Sequence, residues 1–286
     1  MPESIRTNAL LRELPEAEAT GELRHIYGEI RRLSAVPMVA LIYRHLATIP
    51  GALEWAWSVL EPAMRAGALQ ESAWRFAERA RVLRQPAIPA AALSAAGISE
   101  ADQRVIAQVL DAYNRANPVN IVAVRCLSLL LAGHPSTGGA ASSPDWQPPA
   151  AIPSLPPMVN PQAMPPVVRE LAVLLTDRGS SNAPSSLWPS LYRHLAHWPA
   201  FLGYASVVVP PEFEAIDTVA AKLRQQVDDA AATIAANLRP TPAHPVPTGA
   251  DAQQLQSAIA QFSRRIPEMV VIGKLLRGAL SPSSSS

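Results

Sequence analysis

From Gly21 to Leu33 the apolar residues fall at Leu23, Ile26, Tyr27, Ile30 and Leu33, the three-and-four spacing of a helix with charge on its other face. Pro37 suits the first turn of a second helix, Met38 to Ala47, which Pro50 stops. Gly51 to Ala66 carries Leu53, Trp57 and Leu60 on one face, and Glu71 to Leu83 continues the pattern after Gly67. Ser99 followed three residues on by Asp102 predicts a capped helix start, with an end near Asn117. Asn117-Pro118 then reads as the N-cap and first-turn proline of another helix over Val119 to Ala132. Gly133 to Pro166 holds ten prolines and three glycines and predicts an extended linker. Beyond it the periodicity predicts helices at Val167–Thr176, Leu187–Ala196, Phe201–Val209, Phe213–Leu238, Ala252–Arg265 and Glu268–Leu280, before a disordered tail over 281–286. The fold class expected is all-α.

One ten-residue stretch, Leu41 to Pro50 (LIYRHLATIP), returns as Ser190 to Pro199 (SLYRHLAHWP), 149 positions later. At that fixed offset ten of 22 positions are identical between Leu41–Pro62 and Ser190–Pro211. Further along, Tyr113 meets Phe262, Pro118 meets Pro267 and Arg125 meets Lys274, with no gap needed. A unit of this size exceeds the roughly 20 to 50 residues of a solenoid repeat. The expectation is a duplicated helical domain, residues 1–132 and 167–280 joined by the 133–166 linker, packed as an internal pseudo-dimer. Ligand pockets favour such interfaces.

Charge narrows the partners. Lysine plus arginine, 24, nearly balances aspartate plus glutamate, 23, with no basic run of the kind nucleic acid needs. A single cysteine, Cys126, in an apolar run fits a reducing compartment. The opening residues show no basic-then-apolar signal, and no window reaches the roughly 18 unbroken apolar residues of a membrane helix. These point to a cytoplasmic protein with neither nucleic-acid nor membrane partner.

Candidate chemistry is sparse. His194 and His197 are spaced to share an ion but have no third ligand nearby in sequence, so no metal is expected. No nucleophile elbow, P-loop or dinucleotide fingerprint occurs, and no cofactor is implied. The repeated pairs Arg44-His45 and Arg193-His194 read as a half-to-half or solvent-facing surface, and the six tryptophans as core. Asn117 stands out among the polar residues, because a helix starting at Pro118 would offer unpaired N–H groups to an anion.

Four runs, Val36–Leu41, Leu46–Gly51, Ala112–Pro118 and Ala196–Pro199, resemble in order and spacing the group I (DehI-type) haloacid dehalogenases that act on D- and L-2-haloalkanoic acids. The resemblance implies a duplicated all-helical, AhpD-like fold with the active site between its halves. It implies cofactor-free hydrolysis, in which an aspartate activates water and the water displaces halide from the α-carbon directly. The family's Asn-Pro site falls on Asn117-Pro118, and the aromatic usual three positions on is Asn120. Its pocket aromatics fall on Met38 and Leu41, and its Ser-Asp-aromatic triplet on Ser190-Leu191-Tyr192, with leucine at the base.

The resemblance therefore implies a small 2-substituted carboxylic acid as ligand, with Asn117 and Ser190 in the machinery and Met38, Leu41, Asn120, Leu191 and Tyr192 around it. Two alternatives stay open: a non-catalytic small-acid-binding or interaction protein on the same fold, and a changed reaction in which His194, one turn from Leu191, serves as base. Asp177 is a more distant substitute, and a homodimer of pseudo-dimers is a further possibility.

Overall fold

The computed structural model describes residues 11–80, 85–136, 146–176 and 187–280; Asp177 and the 281–286 tail lie outside them. Eleven α-helices run through these residues: α1 (Gly21–Ser34), α2 (Leu41–Leu46), α3 (Ala52–Arg65), α4 (Ala68–Arg79), α5 (Ala90–Ala95), α6 (Glu100–Leu131), α7 (Pro166–Thr176), α8 (Ser190–Leu195), α9 (Pro199–Val208), α10 (Phe213–Asn237) and α11 (Gly249–Ala279). Among them the only β pairing is one isolated bridge between Ile88 and Leu280. The fold is all-α, as the periodicity requires. No described helix is long and apolar enough to cross a membrane.

Helix starts and stops follow local chemistry. Ser99 accepts the Asp102 backbone N–H at 3.1 Å while the Asp102 carboxylate accepts the Ser99 N–H at 3.0 Å, closing the capping box in front of α6. α1 buries Ile26, Tyr27, Ile30 and Leu33 and ends at Ala35 in the left-handed region, φ 52°. At Gly67, φ 73°, the Trp146 ring lies where a Cβ would sit, so glycine is required twice over.

The largest departure from the sequence expectation lies at the prolines. α6 runs without a break through Pro118, and α11 through Pro267, where the residue pattern predicted helix ends. Each proline removes one N–H from its helix and crowds the carbonyl four residues back. Both helices nevertheless continue because tertiary burial outweighs local propensity: every residue from Ala116 to Val124, and most from Ile266 to Leu276, is buried. Asn117 is thus mid-helix, and no helix N-terminus at Pro118 exists to attract an anion. Smaller corrections are that α2 begins at Leu41 rather than Met38, and that α5 was not anticipated.

α6 and α11 form the centre and cross antiparallel. Arg277 pairs with Asp111 at 2.8 Å, and Asn114 donates to the Gly273 carbonyl at 3.2 Å, so partner numbers fall as residue numbers rise. At Gly273 the two helices approach closely enough that a Cβ there would displace the Asn114 amide. α2 and α8 begin at Leu41 and Ser190, α6 and α11 at Glu100 and Gly249; both pairs are 149 positions apart. The proline-rich stretch over 146–160 forms no helix and lies against the body. Ile152 N–H bonds the Ala35 carbonyl, the Ala150 carbonyl accepts from Arg115, and Val159 N–H bonds the Arg193 carbonyl.

Candidate active site

Where α6 and α11 cross, with α2 and α8 laid over the crossing, sixteen residues enclose a cavity of about 50 Å³. A water-sized sphere needs roughly 10–15 Å³ by this measure, so the space suits a few waters or one short organic acid. The lining obeys the 149-residue offset without exception. From α2 and α8 and the turns before them come Met38 with Leu187, Ala40 with Pro189, Leu41 with Ser190 and Ile42 with Leu191. From α6 and α11 come Tyr113 with Phe262, Ala116 with Arg265, Asn117 with Ile266 and Asn120 with Met269. The cavity therefore sits where equivalent positions converge.

Of the residues singled out in the sequence, Met38, Leu41, Asn117, Asn120, Ser190 and Leu191 line this one cavity. Tyr192 and His194 do not. Successive helical residues turn by about 100°, so with Ser190 and Leu191 facing the cavity Tyr192 points elsewhere, where it is 1 % exposed. His194 lies behind Tyr113, whose hydroxyl bonds its Nδ1 at 2.7 Å.

That contact belongs to a directed chain of hydrogen bonds. Arg44 donates to Ser190 Oγ at 3.1 Å, and Ser190 in turn bonds the Tyr113 hydroxyl. The His194 ring also bonds the backbone of Pro156, which has only a carbonyl to offer. A neutral imidazole has one N–H, which goes to Pro156, so its other nitrogen accepts from Tyr113. Burial, with Arg44 close by, holds His194 down to about 3. Its lone pair is used, and it stays neutral at physiological pH. Burial likewise pushes the Tyr113 hydroxyl well above its ordinary value.

Arg44 is 1 % exposed, against the expectation of a solvent-facing Arg-His pair. Its guanidinium donates to Glu13 at 2.8 Å and to the Val39 carbonyl at 2.7 Å. Arg193, its counterpart at the offset, donates to the other oxygen of the same Glu13 at 2.7 Å. Burial would raise the Glu13 carboxyl, but the two arginines outweigh it and hold it below the usual range. Arg44 and Arg193 thus meet on one carboxylate, a partner the sequence did not disclose. His197 bonds the Pro157 carbonyl at 2.7 Å and is exposed. Cys126 is buried against the Ala231 carbonyl, with its thiol pushed up to about 12 by burial.

Ten of the sixteen lining residues were not among the sequence's site candidates, Tyr113, Phe262 and Arg265 among them. Applying the offset to the six that were candidates reaches Leu187, Ile42, Ile266 and Met269 but not Arg265, whose counterpart Ala116 was no candidate. The lining contains no carboxylate; positions 42 and 191 are both aliphatic.

The chain is similar to known proteins along most of its length. A configuration-inverting 2-haloacid dehalogenase of Alcaligenes xylosoxydans xylosoxydans is 29 % identical over 198 residues, 66 % of this chain and 65 % of that protein, so the match spans just under two thirds of the relative. A configuration-inverting 2-haloacid dehalogenase of Pseudomonas sp. (strain 113) is 28 % identical over 222 residues, 72 % of this chain and 71 % of that one. In fold, the chain matches a D-2-haloacid dehalogenase mutant solved with D-2-CPA at a TM-score of 0.71, with 18 % identity and coverage of 95 % and 94 % of the two chains. It matches a D-2-haloacid dehalogenase solved with L-LA at 0.65, with 21 % identity and coverage of 94 % and 92 %. The family model described as halocarboxylic acid dehydrogenase DehI matches residues 37–184, just over half of the sequence, and the chain belongs to that family.

Proposed function

We propose that this chain is a 2-haloacid-dehalogenase-type protein whose cavity receives a small 2-substituted carboxylic acid. The observation that carries this reading is the convergence of Asn117, Asn120, Ser190 and Arg265 on one small, otherwise apolar space. Apolar walls with a few placed polar groups are what a small-acid site requires. In the family's reaction water attacks the α-carbon and halide leaves, with no covalent ester and no cofactor. Here the amides of Asn117 and Asn120 would orient water or acid, and Met38, Leu41 and Leu191 would enclose the carbon end. The two walls descend from one duplicated half, residues 1–132 and 167–280, and the protein works in the cytoplasm, which its single buried cysteine suits. Association of two such chains into a homodimer remains part of the proposal.

Leu191 supports a second reading, binding without appreciable turnover. A leucine neither accepts a proton nor holds a water, and its partner at the offset is Ile42. A general base contributes about 10²- to 10⁴-fold, so haloacid hydrolysis in this cavity is slow. The deciding experiment is binding of D- and L-2-chloropropionate by calorimetry beside halide release, in the wild type and in Leu191→Asp. Wild-type binding with halide release that rises at least 10²-fold in the variant is the expected result. Absence of binding by the folded wild type removes the small-acid reading. Substantial wild-type release unchanged by Leu191→Asp shows that the base lies elsewhere.

A further inference from the structure

Of the sixteen described residues lining the cavity, Arg265 alone carries a charge. Its position on α11 corresponds at the 149-residue offset to Ala116 on α6, so the cation is present in one wall and absent from the other. The side chain is 12 % exposed. One terminal nitrogen donates to Glu268 at 2.7 Å and the other to the Thr176 carbonyl at 3.4 Å, which pins the guanidinium plane. Its Nε–H is buried and has no partner among the described residues. A guanidinium offers five N–H donors in a rigid fork matched to carboxylate geometry. A buried donor left unpaired costs free energy that an incoming acceptor recovers.

The remaining polar groups of the lining cannot take this role. Ser190 accepts from Arg44 and bonds Tyr113, and Tyr113 is committed to His194. Asn117 and Asn120 carry no charge and sit on α6, the wall facing α11. A neutral guest would offer the Nε–H only an uncharged acceptor, a weaker partner than a carboxylate, while a dianion would bring a second charge into a space holding one cation. The cavity's chemistry selects a monoanion.

Resting on the small-acid reading above, we propose that Arg265 is the anchor for the ligand's carboxylate, holding it against α11 so that the substituted carbon lies toward Ile42 and Leu191. Arg265 then sets the charge class of the ligand, and the Ala116 wall receives the uncharged end. Because Glu268 already occupies one face of the fork, recognition comes from directed N–H donation rather than from net positive charge. Lysine cannot reproduce it, since an ammonium lacks the fork.

The test compares 2-chloropropionate with its neutral isostere 2-chloropropionamide by calorimetry, in the wild type, Arg265→Met and Arg265→Lys, with thermal unfolding to confirm that each variant folds. The wild type is expected to prefer the acid by about 30-fold, within the range of charge-assisted hydrogen bonds. Arg265→Met should bring acid and amide within about 3-fold of each other by weakening the acid alone, and Arg265→Lys should recover only part of the preference. A preference that survives intact in Arg265→Met overturns the proposal while leaving the small-acid site standing. Failure of the wild type to bind either compound overturns both. Should Arg265→Met not fold, Arg265→Lys decides alone, because a preference as large as the wild type's refutes the fork.

Discussion

The α2–α6 wall and the α8–α11 wall of the cavity use the same eight positions and little of the same chemistry. On the first, Asn117 and Asn120 offer amides and Leu41 and Ala116 are apolar; on the second, the corresponding Ile266 and Met269 are apolar and Ser190 and Arg265 are polar. Geometry is repeated across the crossing while hydrogen-bonding capacity is divided, so a ligand meets neutral amides on one side and a cation with a hydroxyl on the other. At positions 42 and 191 both walls are aliphatic, so neither carries a carboxylate there.

The largest expected effect comes from placing a carboxylate there on one wall at a time. Leu191→Asp should raise halide release from 2-chloropropionate by at least about 10²-fold. Ile42→Asp, the same change on the other wall, should leave release at background, because Asn117 has only Ile266 as its counterpart there and no amide would hold the water. Equal activation by both variants would mean that the division of chemistry between the walls is immaterial.

The next effect is on stability. Glu13 is the acceptor shared by Arg44 and Arg193, equivalent side chains from the two walls. Glu13→Ala leaves a 1 % exposed guanidinium without its carboxylate, and breaking such a pair costs roughly 3 kcal/mol. In a chain of this size that lowers the unfolding midpoint by about 10 °C. A loss of under about 2 °C by scanning calorimetry would show that Glu13 does not join the walls.

Acid sensitivity is smaller and one-sided. His194 takes no proton in the folded state until about pH 3, whereas the unfolded chain binds one below its ordinary value of about 6.5. Stability from this group is complete above about 6.5 and falls as pH drops towards 3, by roughly 1.4 kcal/mol per pH unit. His45, also held low chiefly by burial, acts in the same direction. His194→Gln, which retains an acceptor for Tyr113, should therefore lose about 2 kcal/mol less than wild type between pH 6.5 and pH 5. Parallel denaturation curves for the two proteins would place the acid sensitivity elsewhere.

The helical class, the α6 capping box and six cavity residues were legible because each rests on spacing or on a short local motif. The continuity of α6 and α11 was not, since Pro118 and Pro267 are locally helix-breaking and only burial on several sides keeps the helices whole. Glu13 was hidden for a different reason. It lies near the start of the chain in no motif, and its meaning depends on Arg44 and Arg193 meeting in space. Arg265 was hidden by its own sequence context, Arg264-Arg265, which reads as a solvated charge pair until the helix crossing shows that one of the two faces inward.

The smallest expected effect tests whether the comparison between walls extends to their apolar positions. Met38→Leu makes position 38 identical to its counterpart Leu187. Met38 is 6 % exposed, and an exchange of this kind conserves volume and usually costs less than about 1.5 kcal/mol. If the aliphatic pairs only fill space, acid affinity should stay within about 3-fold and the unfolding midpoint within about 4 °C. The flexible methionine adapts to gaps that a branched leucine leaves open, so a tenfold loss of 2-chloropropionate affinity without a change in midpoint would have one meaning. It would show that the α2–α6 wall shapes the ligand as well as hydrogen-bonding it, and that the asymmetry of the cavity begins with its apolar residues.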